Sequence, residues 1–209
     1  MNPSQLTAIK RPSPHARNLS EHLVPYCDVK DYIKNKKLSL LFQGEPVCYL
    51  VLSGYVSVYR IEDQLLLANF TSPAIIGLSN NGEDKVKIVT ITKCTLARIS
   101  KTAAMKIIDE KNLWKSLAYF YMDFSEKVYL SFDLNTHSNS YEKIKSQLYE
   151  LMAETKEYRN SVSVEQYIRD KTLLSRSGVM RILSALKNGG YVEIERGILI
   201  NINNLPDKY

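Results

Sequence analysis

The chain has 209 residues, 44% hydrophobic and 24% charged, enough to bury one large core or two small ones and ordinary for a globular protein. Its formal net charge of +6 suits an anionic partner without identifying one. No apolar run approaches the ~18–20 residues that cross a bilayer, and the first twenty residues are polar with no leader-like apolar stretch, so the expected location is the cytoplasm, with no membrane partner.

Cys27, Cys48 and Cys94 are odd in number and far apart in sequence, and no CxxC pair occurs, which argues against a disulfide framework and against a zinc site. His15, His22 and His137 are equally scattered. A metal-dependent enzyme on a small β-barrel would gather two or three His inside the barrel, and none occurs in residues 38–100. No catalytic residue, metal ligand or cofactor is therefore expected, and the chain does not read as an enzyme.

In chain order, residues 1–20 mix Pro, Ser, Asn and basic residues without periodicity and read as a flexible arm. Residues 21–36 could form a helix broken near Pro25, lined by His22, Leu23, Tyr26, Tyr32 and Ile33. Residues 38–100 alternate short Leu, Val, Ile and Tyr runs with turn residues at Gln43-Gly44, Ser53-Gly54, Glu62-Asp63, Ser72-Pro73 and Asn80-Asn81-Gly82. That spacing predicts a small antiparallel roll or barrel. A short helix is expected at 101–109. A long one follows at 113–134, with Leu113, Leu117, Phe120 or Tyr121, Phe124, Val128 and Phe132 recurring every three or four residues. It could pack only inside its own monomer, or bury a second face against another copy. The polar segment 136–140 makes a hinge before a helix at 141–155. The fold class is α+β: an N-terminal β-roll (21–110), a long connecting helix (111–135) and a C-terminal helical module (140–209).

The last forty residues carry the most information. Ser163 followed by Gln166 is a capping-box pattern that starts a helix at 164–171. Thr172-Leu173-Leu174 turns the chain, Ser175 caps a second helix to about residue 187, and Gly189-Gly190 stop it. Two strands at 191–195 and 198–202, joined at Arg196-Gly197, complete a winged helix-turn-helix. In the second helix Val179, Ile182, Leu183 and Leu186 form the inward stripe. Arg176, Ser177, Met180, Arg181 and Ser184 lie on the opposite side.

A helix about 10–12 Å wide fits the major groove of duplex DNA, and its N-terminal residues reach the base edges. The candidate DNA-binding residues are therefore Ser175, Arg176, Ser177, Gly178, Met180, Arg181 and Ser184, with Arg196 at the wing tip. The helix start can also bind phosphate through its backbone NH groups.

Ser175 to Leu186 resembles the S-R-x-x-V-x-R-x-L-x-x-L recognition helix of the cyclic-AMP receptor protein/FNR superfamily of bacterial transcription regulators. By that resemblance Arg176 and Arg181 take the places of two DNA-contacting arginines, while Gly178 departs from the usual Thr. Residues 49–58 are similar to a hairpin of the superfamily's cyclic-nucleotide-binding β-roll, and the helix from Leu113 would be its dimer helix. The whole chain most resembles a divergent enterobacterial branch, the inhibitor-of-peroxide-resistance (IprA-like) regulators. The resemblance implies a homodimer on double-stranded DNA, RNA polymerase as a further partner and an unknown effector.

The ligand cassette departs from the pattern. Where cyclic-nucleotide sensors carry F-G-E and then an Arg-Ser or Arg-Thr pair, this chain has Ile76-Gly77-Leu78, and no such pair follows in residues 85–92. A phosphate there would lack its arginine fork. Iron–sulfur sensing needs four thiolates and the chain has three cysteines. A redox thiol at Cys27, in a segment expected to be exposed, stays open. So does a reading in which a vestigial winged helix serves only protein interaction.

Overall fold

A computed structural model of the chain describes residues 13–79, 82–136 and 139–206. Contacts divide it into a unit ending at Glu126 and a unit beginning at Lys127. The first is a β-roll backed by helices.

Its first element is not an arm. Residues Pro14–Leu23 form helix α1, capped by the Ser13 hydroxyl, which accepts from the His15 N–H, with proline at the first helical position where no donor is lost. Ala16, Leu19 and Leu23 are buried at helical spacing. Composition made residues 13–20 look loose because only these apolar positions matter. Residues 1–12 lie outside the described residues.

The expected helix over 21–36 stops at Leu23. A 3-10 turn at Val24–Tyr26 follows, and then strand β1, Asp28–Tyr32, pairs antiparallel with β9, Cys94–Ser100. Pro25 ends the helix, and the edge of β9 supplies β1 with its hydrogen bonds.

The remaining strands are β2 (Lys37–Ser39), β3 (Leu41–Phe42), β4 (Glu45–Ser53), β5 (Tyr55–Arg60), β6 (Leu66–Thr71), β7 (Ala74–Ile76) and β8 (Val86–Thr90). One sheet runs β1-β9-β4-β3, with β7 also on β4, and the other runs β2-β8-β5-β6. Strand β4 explains the architecture. Its side chains alternate between two cores, so both faces are apolar and the sequence reads as one hydrophobic run. Val47, Tyr49 and Val51 join Val56, Val58 and Ile88 inside the roll. Cys48 and Leu50 face the other way, into a core with Ala97, Ile99 and the helices.

Two further helices close that second core together with α1. Helix α2, Lys101–Glu110, is capped by Ser100, which accepts from Ala103 N–H, and buries Ala104, Ile107 and Ile108. Helix α3, Trp114–Thr136, carries the chain from the first unit into the second. Leu113, just before it, and its own Leu117 and Phe120 join the core. Helix α1 lies along it: Ser13 Oγ donates to Asp123 Oδ2 at 2.6 Å, Asn18 Nδ2 donates to Ser116 Oγ at 3.1 Å, and His15 stacks on Tyr119 at 4.9 Å.

The second unit holds α4 (Ser140–Met152), α5 (Lys156–Ser161), α6 (Val164–Thr172), α7 (Arg176–Asn188) and the hairpin β10 (Val192–Glu195) and β11 (Ile198–Ile202). Helix α4 is shorter than expected, and α5 was not foreseen. Its six residues are mostly polar, and it is held by the Thr155 cap and the buried Tyr158.

Candidate nucleic-acid interface

Helices α6 and α7 and the hairpin form the module expected from the sequence. Ser163 caps α6 by accepting from Gln166 N–H, but the reciprocal half of the capping box does not form. The Gln166 side chain instead donates to Asp170 and accepts from Arg169. Leu173 makes the turn in the left-handed region at φ 56°, its N–H bonded to Arg169 carbonyl at 2.8 Å. Beneath the turn, Lys171 Nζ lies 3.2 Å from Glu150 of α4, both side chains largely buried. Burial keeps the Tyr167 phenol protonated, and the Glu150 carboxylate reinforces this.

Helix α7 begins where the turn ends. Ser175 Oγ accepts from Gly178 N–H at 3.2 Å, and a Cβ at Gly178 would sit 3.1 Å from that same oxygen. Glycine therefore lets the cap close without crowding. Val179, Ile182, Leu183 and Leu186 are buried, as their spacing predicts. Arg176, Ser177, Met180, Arg181 and Ser184 are all exposed on the other side. The Arg176 side chain is 76% exposed, and its Nε lies 3.9 Å from Glu165 Oε1, which is bonded more closely to Arg169 at 2.6 Å. Glu165 is the residue that sequence reasoning passed over. Its signal was the i,i+4 spacing to Arg169.

The wing is built by two consecutive residues with positive φ, Arg196 at 49° and Gly197 at 83°, the backbone of a two-residue hairpin turn whose twist matches its strands. Arg196 is exposed at its tip. Gly197 carbonyl accepts from Val164 N–H at 2.9 Å, and Lys187 Nζ donates to Ile194 carbonyl at 3.0 Å. The wing is thereby tied to the start of α6 and the end of α7. All eight candidate residues thus lie on this module. Its second helix, α7, carries three basic residues, Arg176, Arg181 and Lys187, and no acidic one.

In the first unit, the described residues of the segment after β7 pack against the unit itself. Gly77 has φ 100°, and a Cβ there would meet Val47 carbonyl at 2.6 Å. Leu78 is buried in the core beneath the helices. Lys101 Nζ pairs with Glu83 at 2.7 Å, both side chains mostly buried, and also donates to Ser79 carbonyl. Of the two adjacent acidic residues of this loop, Glu83 and Asp84, Glu83 has its carboxylate held by an internal amine.

Cys27 is half-buried rather than exposed, packed against the helical core, and its Sγ–H donates to Leu23 carbonyl at 3.2 Å. Burial pushes its thiol up to about 11. A thiolate is the nucleophile, and two pH units above the ordinary value of 9.0 leave about a hundredfold less of it at neutral pH. Alkylation of Cys27 at pH 7.5 is expected to be about a hundredfold slower than that of a short cysteine peptide, rising tenfold per pH unit up to about pH 11. Mass-spectrometric time courses on wild type and Cys27→Ser would measure it. A rate equal to the peptide's would show that the thiol is open to solvent in solution.

A family profile described as winged helix-turn-helix DNA binding matches residues 140–207. Among solved structures, the c-di-GMP responsive global regulator CLP of Xanthomonas campestris superposes with a TM-score of 0.73 at 18% identity, covering 90% of this chain and all of that one. A CRP/FNR-family transcriptional regulator from Eubacterium rectale gives 0.62 at 15% identity, covering 92% and 91%. Roll, long helix and winged helix-turn-helix, in that order, are the fold of the CRP/FNR class of transcription regulators. A relative from Salmonella typhimurium, the inhibitor of hydrogen peroxide resistance, is 31% identical over 164 residues, 77% of this chain and 79% of its own length. The chain belongs to the family of inhibitors of hydrogen peroxide resistance.

Proposed function

We propose that the chain is a homodimeric, sequence-specific DNA-binding transcription regulator whose roll does not bind cyclic AMP. The observation that carries the reading is the outward face of α7: exposed arginines at positions 176 and 181, no carboxylate along the helix, and a serine-capped start. A helix without a polyanion to meet gains nothing from such a face. The Salmonella relative's name supports targets that govern hydrogen peroxide resistance, with the regulator lowering that resistance.

Dimerisation through α3 is supported by a second exposed stripe. Ala118, Met122, Ser125 and Tyr129 are exposed and recur at four, three and four residues, the spacing of a coiled-coil seam, with Met122 64% and Tyr129 68% exposed. Two-fold symmetry then places two recognition helices about 34 Å apart and calls for a partly palindromic site. RNA polymerase is the further partner such a regulator would meet. The cytoplasm is its place of action, and no helix among the described residues is long and apolar enough to cross a membrane.

The Lys101–Glu83 pair and the buried Leu78 support a roll without a cyclic-nucleotide site. The position of the cassette's ribose-binding acid is apolar, and the nearby carboxylate is already neutralised. The test is selection of fragmented host DNA on the purified protein, followed by anisotropy titrations of enriched fragments at several salt concentrations. A shared, roughly palindromic site is expected, bound equally with and without cyclic AMP. Salt-sensitive binding with no preferred site would mean phosphate contact alone, and would favour a regulator that works through a protein partner.

A further inference from the structure

Helix α7 presents a restricted chemistry to the groove. Over Arg176–Asn188 it has no Asp, Glu or Gln, and its single carboxamide, Asn188, is the last residue, far from the N-terminal end that enters deepest. A carboxylate to accept from cytosine N4 is absent, and so is a bidentate carboxamide for adenine near the helix start. Apart from Lys187, which donates to Ile194 carbonyl near the helix end, what remains is two arginines, two serines and one exposed apolar side chain, Met180, at 44% exposure. Met180 stands one turn after Arg176, beside Arg181, and between Ser177 and Ser184 on the exposed face.

The major groove offers one apolar group of its own, the C5-methyl of thymine. Methionine's flexible, polarisable thioether fits such a contact, and the helical neighbours of Met180 leave it facing outward rather than into the module's core. We infer that Met180 is a specificity-determining residue that reads a thymine methyl in each half-site. The inference rests on the DNA-binding reading above and deepens it. Arg176 and Met180 are separated by about 6 Å along the helix axis, and base pairs by about 3.4 Å, so the thymine lies within about two or three base pairs of the base met by Arg176.

The experiment begins with selection from random-sequence duplexes by the full chain. The enriched site is then resynthesised with each thymine replaced singly by deoxyuridine, which removes the methyl and keeps every hydrogen-bonding group. Wild type, Met180→Ala and Met180→Leu are titrated on each duplex at one salt concentration. One thymine per half-site is expected to weaken wild-type binding about three- to fivefold when demethylated, the value of one buried methyl. Met180→Ala should bind the thymine and uracil forms alike, and Met180→Leu should keep most of the preference. A selected site at which wild type ignores every such replacement overturns the inference, as does a thymine preference that survives in Met180→Ala. Failure of the selection itself, with no sequence enriched, would overturn the DNA-binding reading and this inference with it, and is seen before any uracil is introduced.

Discussion

Replacing Arg176 and Arg181 together with Ala is expected to abolish selection of a specific DNA site while leaving the fold intact. Each bidentate contact between an arginine and a base edge is worth about 1–3 kcal/mol of discrimination, and a dimer loses the pair in both half-sites, so the specific complex should weaken by at least about 10³-fold. The fold should not suffer. Among the described residues Arg176 makes a 3.9 Å ion contact, which at 76% exposure contributes little, and Arg181 is exposed on the same helix. Alanine is also the strongest helix former, so α7 loses no propensity. Residual, sequence-independent binding should remain, with a shallower salt dependence by up to about four counterions per dimer if both side chains of each protomer also touch phosphate. Anisotropy against the selected site and a thermal melt of each variant would measure the two halves. A double variant that still binds the site as wild type does would show that Arg176 and Arg181 are not the side chains that read it.

The parts of the molecule that sequence made legible are those whose signals are local. The start of α7 is fixed by Ser175, its inward stripe by Val179, Ile182, Leu183 and Leu186, and the wing by Arg196-Gly197, all within thirty residues. The parts that were not legible depend on partners far along the chain. Helix α1 is stable because Ala16, Leu19 and Leu23 bury against Leu117 and Phe120, about a hundred residues away, with Asp123, Ser116 and Tyr119 meeting its polar side chains. Strand β1 is a strand because β9 offers it an edge, though nothing in its own five residues alternates clearly. The capping box at Ser163 formed by half, since Gln166 found Asp170 and Arg169 on its own helix surface. Cys27 was read from its neighbours in sequence, whereas its thiol is governed by the apolar core folded against it.

Gly54→Ala is expected to destabilise the roll by about 3–5 kcal/mol, against about 1 kcal/mol for Gly44→Ala, even though the two glycines share nearly the same backbone conformation. Their φ angles are +80° and +84°, in the left-handed region where a Cβ costs roughly 1–2 kcal/mol. They differ in surroundings. A Cβ at Gly44 meets nothing within 4 Å. At Gly54 it would lie 2.3 Å from Lys93 carbonyl, 2.8 Å from Cys94 Sγ and 2.9 Å from Thr92 Oγ1. None of these can retreat freely. Thr92 Oγ1 accepts from Tyr55 N–H at 3.0 Å and so holds the first residue of β5, while Cys94 opens β9 and its thiol donates to Tyr55 carbonyl at 3.2 Å. Thr71 Oγ1 also donates to Gly54 carbonyl at 3.1 Å, so the turn is pinned from a third strand. Moving the turn away would therefore break bonds among β5, β6 and β9 together, which is why the cost exceeds backbone strain alone. Urea denaturation of the two variants beside wild type would measure the difference. Equal, small losses would mean that the β4–β5 turn does not press on residues 92–94 in solution, and that the roll closes less tightly at this end than its hydrogen bonds imply.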